Sequence, residues 1–418
     1  MSYKQKIRAG AAILAAASLT LAGCSTSGDS ASSEGMVIAA LPPMTGALAY
    51  FGPAELTGVG LAIDDINAAG GVLGNDVSME SADAGDTVDM NVSTQGATSL
   101  IKAGADVIVG TSSSSVTLNV LDQVTEAGIM MISPAATSTT LSGYSPLFSR
   151  TAPPDTVQGA ALGTAVLDAG HSKVGILVQN EAYGTGLRDN VQKSIETGGG
   201  QVVYGANGAG QEFPPGESNF ASYVTELLAT KPDTIVIVAF EETVAIIQAL
   251  LAAGWDTHNL FLCDGNTVDY STNFDPGTLE GAIGTMPGAQ APDEIRARMT
   301  EWYKTNQKKD LIDFLYGPES YDATILAALA AVRGGATDGK TVSENIRAVS
   351  GSEEGSVEVT NFKDGVAALE DGKEIRYQGI SGVGPLNEKM DPSSAFIGLY
   401  KYDSTNKPIF SGSVEGTA

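Results

Sequence analysis

The chain of 418 residues holds only two cysteines, Cys24 and Cys263, and two histidines, His171 and His258. Two thiols cannot build a disulfide scaffold or a cysteine-based zinc site, and two distant histidines leave little for a metal centre or a histidine-based triad. Basic side chains are also scarce: 23 Lys and Arg stand against 49 Asp and Glu, a formal charge of −26. That balance argues against a nucleic-acid partner, because affinity for phosphate backbones comes largely from clustered cations. No Gly-x-Ser-x-Gly elbow, His-Glu-x-x-His pair or P-loop occurs, so hydrolase and nucleotide chemistry lack their usual supports. Asp83, Asp86 and Asp89 do not match a calcium loop and read as a solvated acidic turn. Catalytic residues, cofactors and metals are therefore not expected. After Met36 no stretch is apolar and long enough to span a bilayer.

What the chain does have begins at its N-terminus. Lys4, Lys6 and Arg8 precede an apolar run from Ala9 to Leu21, which meets Leu21-Ala22-Gly23-Cys24 and then a polar tract from Ser25 to Gly35. A charged start, a short apolar run and small residues before the break describe a secretory leader. The segment resembles a bacterial lipoprotein signal, which implies cleavage after Gly23, a lipid on Cys24 and a flexible tether over residues 24–35. The exported chain then keeps 20 basic and 49 acidic groups, a charge of −29.

Beyond the tether, 43% hydrophobic residues allow large cores, and the length suggests two or three domains. Short β-branched runs alternate with amphipathic ones, the pattern of parallel sheets covered by helices. Strands are expected at Met36–Leu41, Val77–Ser81, Val107–Val109 and Ile129–Ile132, with helices around Leu56–Ala69, Val92–Ala103 and Val116–Ala127. After Pro153-Pro154 the alternation restarts: helix Gln158–Ala169, strand Lys173–Val178, helix Thr185–Thr197 and strand Gln201–Tyr204. It continues with helix Phe220–Ala229, strand Thr234–Val238, helix Thr243–Ala253 and strand Leu260–Cys263. Helices over Pro292–Gln307 and Tyr321–Val332 and a β-rich tail then complete the two units. The fold class is α/β, and ligands of such sheets sit beyond the carboxyl ends of the strands.

At those ends small and hydroxyl-bearing residues gather. Val107–Val109 runs through Gly110 into Thr111-Ser112-Ser113-Ser114-Ser115, where hydroxyls and free backbone N–H groups at a helix start suit a carboxylate, although one of the serines serves as an N-cap. Ile129–Ile132 ends in Ser133-Pro134-Ala135-Ala136-Thr137-Ser138. In the second unit, strand ends lead to Tyr183-Gly184 and to Asp264-Gly265. Donors for a carboxylate on one unit and an acid for an ammonium on the other fit a zwitterion. Cys263 reads as a small buried hydrophobe, since nothing near it would lower its pKa.

Together these stretches resemble the branched-chain amino acid binding proteins of ATP-binding cassette importers. The resemblance is carried by Pro43-Met44-Thr45-Gly46, Tyr50-Phe51-Gly52, Leu61 to Gly74 and Ser133-Pro134-Ala135-Ala136-Thr137. It extends through Phe148-Ser149-Arg150-Thr151-Ala152-Pro153, Tyr183-Gly184 and Tyr316-Gly317-Pro318-Glu319-Ser320-Tyr321-Asp322. It implies a two-lobed periplasmic-binding-protein type I clamshell, each lobe a mostly parallel sheet flanked by helices. Three hinge crossings are implied near Pro153, Pro287 and Phe396, dividing the chain into 36–153 plus 287–395 and 154–286 plus 396–418. By the same resemblance Ser114, Ala135 and Thr137 hold an α-carboxylate, and Asp264, where the family has glutamate, takes the α-ammonium. Phe51, Tyr183, Phe240 and Tyr316 supply aromatic contacts, with Glu241 the alternative to Phe240. The partners implied are an amino acid, a permease and an ATPase, for a lipid-anchored monomer outside the membrane. Two departures stand out: Ala84 and Thr111 offer no thiol for the family's first-lobe disulfide, and the acid at Asp264 is shorter. Urea, short amides or small aromatic acids are alternative ligands, and a sensor without transport is an alternative role.

Overall fold

The computed structural model describes residues 35–288 and 291–417. The expected leader, the lipidation site Cys24 and the tether as far as residue 34 lie outside the described residues. The first sheet contains β1 (Val37–Leu41), β2 (Ser78–Ser81), β3 (Val107–Gly110), β4 (Met130–Ser133) and β5 (Phe148–Arg150), interleaved with α1 (Gly52–Ala68), α2 (Met90–Lys102) and α3 (Ser114–Glu126). Its order is β2-β1-β3-β4-β5, parallel throughout. Both faces are covered, so side-chain alternation within one strand feeds two cores. Ile38 and Ala40 pack with α1 residues such as Val59 and Ile63. Ala39 and Leu41 pack on the opposite face with Leu100, Val120 and Val124.

After β5 the chain enters α4 (Asp155–Asp168), β6 (Lys173–Val178), α5 (Ala182–Thr197), β7 (Gln201–Tyr204), α6 (Ala221–Ala229), β8 (Thr234–Val238), α7 (Thr243–Ala252), β9 (Leu260–Leu262) and β10 (Ile283–Pro287). β8, of sequence TIVIV, is buried along its whole length, the continuous apolar run expected of a central parallel strand. The chain then returns to the first lobe through α8 (Asp293–Gln307) and α9 (Gly317–Gly334), both packed against α1. It continues through α10 (Gly339–Arg347), β11 (Val357–Val359), α11 (Phe362–Glu370) and β12 (Ile375–Tyr377). Finally β13 (Ser394–Tyr402) and β14 (Pro408–Thr417) join the second sheet, ordered β14-β13-β10-β9-β8-β6-β7, in which β13 alone runs against the others and pairs antiparallel with both β10 and β14. The backbone thus passes between the sheets three times: between Arg150 and Asp155, after Pro287, and just before Ser394, upstream of Phe396.

Two features differ from the sequence reading. The tail after Val332 carries two helices, α10 and α11, as well as strands. Each is short and started by a side-chain cap, Asp338 accepting from Thr341 N and Asn361 from Asp364 N. Their few apolar anchors, such as Val342 and Ile346, are too sparse to set a clear period. The short strands β5 and β10 add further parallel pairs that their sequences do not announce.

The α1–α9 crossing sets the core of the first lobe. A Cβ at Gly58 would lie 2.1 Å from the carbonyl oxygen of Gly317, so the helices meet backbone to backbone. α9 is buried from Gly317 to Ala331, its Ala327, Ala328, Ala330 and Ala331 permitting that approach.

Candidate functional site

The carboxyl ends of β3, β4 and β5 face those of β6, β8 and β9 across the cleft. Gly110 ends β3 with φ +140°, and a Cβ there would lie 2.4 Å from Leu41 O. Only glycine lets the strand swing into the serine run at this point. Ser113 caps α3 by accepting from Val116 N. The neighbouring serines have separate partners: Ser112 donates to Glu55 Oε1 at 2.6 Å, Ser114 Oγ accepts from Ser138 N at 3.0 Å, and Ser115 Oγ accepts from Ala182 N at 2.8 Å. Ser114 therefore has its hydroxyl proton uncommitted, while Ser115 joins the lobes. Ser133 Oγ draws the next turn together, accepting from Ala135 N and Ala136 N and donating to Thr111 O. Thr137 Oγ1 is buried and has no well-formed hydrogen bond among the described residues, the Asp155 carboxylate being the group it approaches.

Asp264 lies at the far wall, 3% exposed. Its Oδ1 accepts from Tyr183 at 2.7 Å and its Oδ2 from Tyr316 at 2.5 Å. Burial raises its pKa, and the bonds from Tyr316, Tyr183 and Gln158 work the other way. Tyr316 reaches across from the first lobe because it occupies the left-handed N-cap of α9, φ +57°, an uncommon conformation for a bulky side chain. A third link between lobes runs from Tyr50 Oη to Gly265 O, 2.6 Å. With Ser115–Ala182 it holds the cleft closed.

Aromatic rings pack around this carboxylate. Phe240 stacks on Tyr183 with centroids 5.3 Å apart, and Phe51 meets Tyr316 edge to face at 5.1 Å. Phe240 is buried whereas Glu241 is exposed, which places the ring, not the acid, in the aromatic layer. Cys263 is fully buried and its thiol pKa is pushed up by burial and by Asp264.

The structure adds Asp155, which the sequence reading passed over. It follows the Pro154 N-cap of α4, where an acid is unremarkable, yet it is wholly buried, and among the described residues only the Thr137 hydroxyl approaches its oxygens, short of a well-formed hydrogen bond. Burial raises its pKa well above the ordinary carboxylate range; the Thr137 hydroxyl and the Arg150 charge oppose this, while Asp264 and Glu181 add to it. Arg150, also fully buried, is bound to Asp391 at 2.7 Å and to Ala136 O, Ser138 O and Ser142 Oγ. It fixes the turn that carries Thr137. The signal for Asp155 was a Pro-Asp pair directly after a strand end.

The acidic turn is less solvated than expected. Asp83 accepts from Met44 N, Thr45 N, Thr45 Oγ1 and Gly85 N, and Asp86 from Ala47 N, Val88 N and Asp89 N. Both carboxylates organise the loop leading to Tyr50 and Phe51.

Two parallel-sheet lobes closing over donors on one side and acids on the other define a protein that engulfs a small polar solute. The chain belongs to the periplasmic binding protein family, whose model matches residues 36–368, and it has the type I fold of that family. It is 30% identical over 274 residues to the Leu/Ile/Val-binding protein of Escherichia coli K12, covering 64% of this chain and 72% of that one. Its fold matches a Streptococcus pneumoniae branched-chain amino acid transporter substrate-binding protein in complex with isoleucine, with TM-score 0.70, 18% identity, and coverage of 92% and 100% of the two chains. It also matches an R. palustris solute-binding protein in complex with 4-hydroxybenzoate, with TM-score 0.70, 16% identity, and coverage of 91% and 96%.

Proposed function

We propose that this protein is an extracytoplasmic, lipid-anchored receptor that binds an amino acid between its lobes and presents it to the permease and ATPase of an importer. The observation that carries the reading is the set of poorly satisfied polar atoms in the closed cleft, Thr137 Oγ1 and both oxygens of Asp155, which have only one another, beside the uncommitted proton of Ser114. Buried polar groups without partners are costly, about 1–3 kcal/mol each, and a zwitterion satisfies them. Its carboxylate takes the Ser114 and Thr137 hydroxyls with the Ala135 turn, and its ammonium takes Asp155 and Asp264. Phe51, Tyr183, Phe240 and Tyr316 surround the side chain. Likeness to Leu/Ile/Val-binding relatives favours branched-chain or other small aliphatic side chains. Closure hides the ligand and creates a shape that a permease distinguishes from the open one. Binding and presentation, without bond making, account for every group described.

A small aromatic acid is the second reading. It is favoured by the phenols already on Asp264, which a hydroxybenzoate would mimic, and by the 4-hydroxybenzoate complex of the R. palustris protein. Calorimetry with aliphatic amino acids, hydroxybenzoates, urea and short amides decides between them. Binding of leucine, isoleucine or valine that is lost in Ser114→Ala and Asp264→Ala supports the first reading, and unchanged affinity in both variants overturns this assignment of the site.

A further inference from the structure

Next to the cleft, on the far side of Tyr50 and Phe240, lies a second cavity of about 380 Å³. Its walls come from both lobes: Tyr50 and Pro53 from one, Phe240, Val244 and Tyr270 from the other. The Tyr50–Gly265 bond separates it from the Asp264 side. At the rim Ile312 is 91% exposed, an apolar side chain held out over the opening. The remaining rim is acidic, with Glu241, Asp269, Asp310 and Asp313 and no lysine or arginine among the lining residues. Lys407 pairs with Asp269 at 3.1 Å from outside the cavity, and among the described residues the other three carboxylates form no salt bridge. Crowding is visible in two of them: burial raises Asp313, with Asp269 adding to it, and burial raises Glu241, with Glu242 and Asp86 adding to it.

We propose that this cavity is a second binding site, for a small organic cation whose apolar or aromatic body lies against Tyr50, Phe240 and Tyr270 while its charge faces the acidic rim. Its volume lies within the usual range for small-molecule sites, roughly 300–1,000 Å³. Aromatic faces beside carboxylates attract a desolvated ammonium both through the ring quadrupole and through charge. An anion is repelled by the rim, and a neutral molecule gains only the apolar contact. Because the walls belong to both lobes, the cation binds the closed form and favours it, and by reciprocity a solute that closes the cleft tightens the cation. The site is distinct from the one assigned above: it shares the Phe240 ring as a dividing wall but uses none of Ser114, Thr137, Asp155 or Asp264.

Titration of the full protein with 2-phenylethylammonium, 2-phenylethanol and phenylacetate tests this. The cation is expected to bind saturably at millimolar concentration or below, with the alcohol weaker and the acid silent. Glu241→Gln and Asp310→Asn, both at exposed positions, are each expected to weaken the cation roughly threefold to tenfold, whereas Asp155→Asn, which removes an acid of the cleft, leaves the cation bound. Absence of saturable binding overturns the proposal, as does equal affinity for the alcohol. Loss of binding in Asp155→Asn overturns it too, because the cation then sits on the acids of the amino-acid cleft. Failure here leaves the amino-acid reading standing, since that reading is tested by amino-acid binding in Ser114→Ala and Asp264→Ala.

Discussion

Tyr316 of the first lobe donates to Asp264 of the second at 2.5 Å, so one buried carboxylate is both a wall of the cleft and a fastening between its halves. A bond to a charged group contributes about 1.5–3 kcal/mol, and Tyr316→Phe is therefore expected to weaken solute binding roughly tenfold or more. Tyr183→Phe acts in the same direction from the same lobe as Asp264. Calorimetry on both variants measures the effect; full retention of affinity would show that Asp264 needs neither phenol.

Asp155 behaves differently because only the Thr137 hydroxyl approaches its oxygens. Asp155→Asn is expected to lower solute affinity about tenfold with little change in the unfolding midpoint, since the amide oxygen still faces Thr137. A drop in stability with unchanged affinity would make Asp155 a structural residue.

Three buried acids give stability a pH dependence of unusual sign. Burial raises Glu55 and Glu319 to about 8 and Glu181 to about 7, each from about 4.5. Between about 4.5 and 8 the unfolded chain has released these protons while the native protein keeps them. Their contribution is therefore complete below the unfolded value and is lost as pH rises through 7 to 8. Denaturant midpoints at pH 5.5 and 8.5 are expected to differ in favour of the lower pH, and Glu319→Gln is expected to shrink the difference. An unchanged difference in that variant would remove Glu319 from the account.

The buried Arg150–Asp391 pair carries the largest expected loss. Breaking such a pair leaves an uncompensated charge and costs about 3–5 kcal/mol, so Asp391→Ala should lower the melting temperature markedly. Arg150→Lys retains the charge but not the fork that reaches Ala136, Ser138 and Ser142, and is expected to reduce solute affinity more than stability. Equal affinity in the lysine variant would separate the Thr137 turn from Arg150.

Gly58→Ala tests the core. The added methyl meets Gly317 O and Ser320 Cβ, and overpacking of this kind costs about 1–3 kcal/mol. Thermal unfolding should show a lower midpoint; an unaltered one would mean that α1 and α9 can part without penalty.

Much of this is legible in the amino-acid sequence. Runs such as TIVIV and VIVG declare buried strands because β-branched residues fill both faces of a covered sheet. The resemblance pointed to Ser114, Thr137, Tyr183 and Asp264, and the fold brings their segments to one cleft. Asp155 was hidden because an acid after proline at a helix start is so common that only three-dimensional burial marks it. Glu55 and Glu319 were hidden within helical patterns for the same reason. The serine run was only half legible: sequence shows spare hydroxyls, whereas their use by Glu55, Ser138 and Ala182 depends on segments far away in the chain.

Three backbone passages between the sheets act like three ropes side by side. They resist sliding and pulling apart, which leaves rotation about a line through them as the soft motion. Displacement then grows with distance from that axle, as at the free edge of a door. On the proposed reading a small angular change, taken up by few backbone torsions near Ala152, Gly288 and Ser393, parts contacts as short as Tyr50–Gly265 and admits a solute.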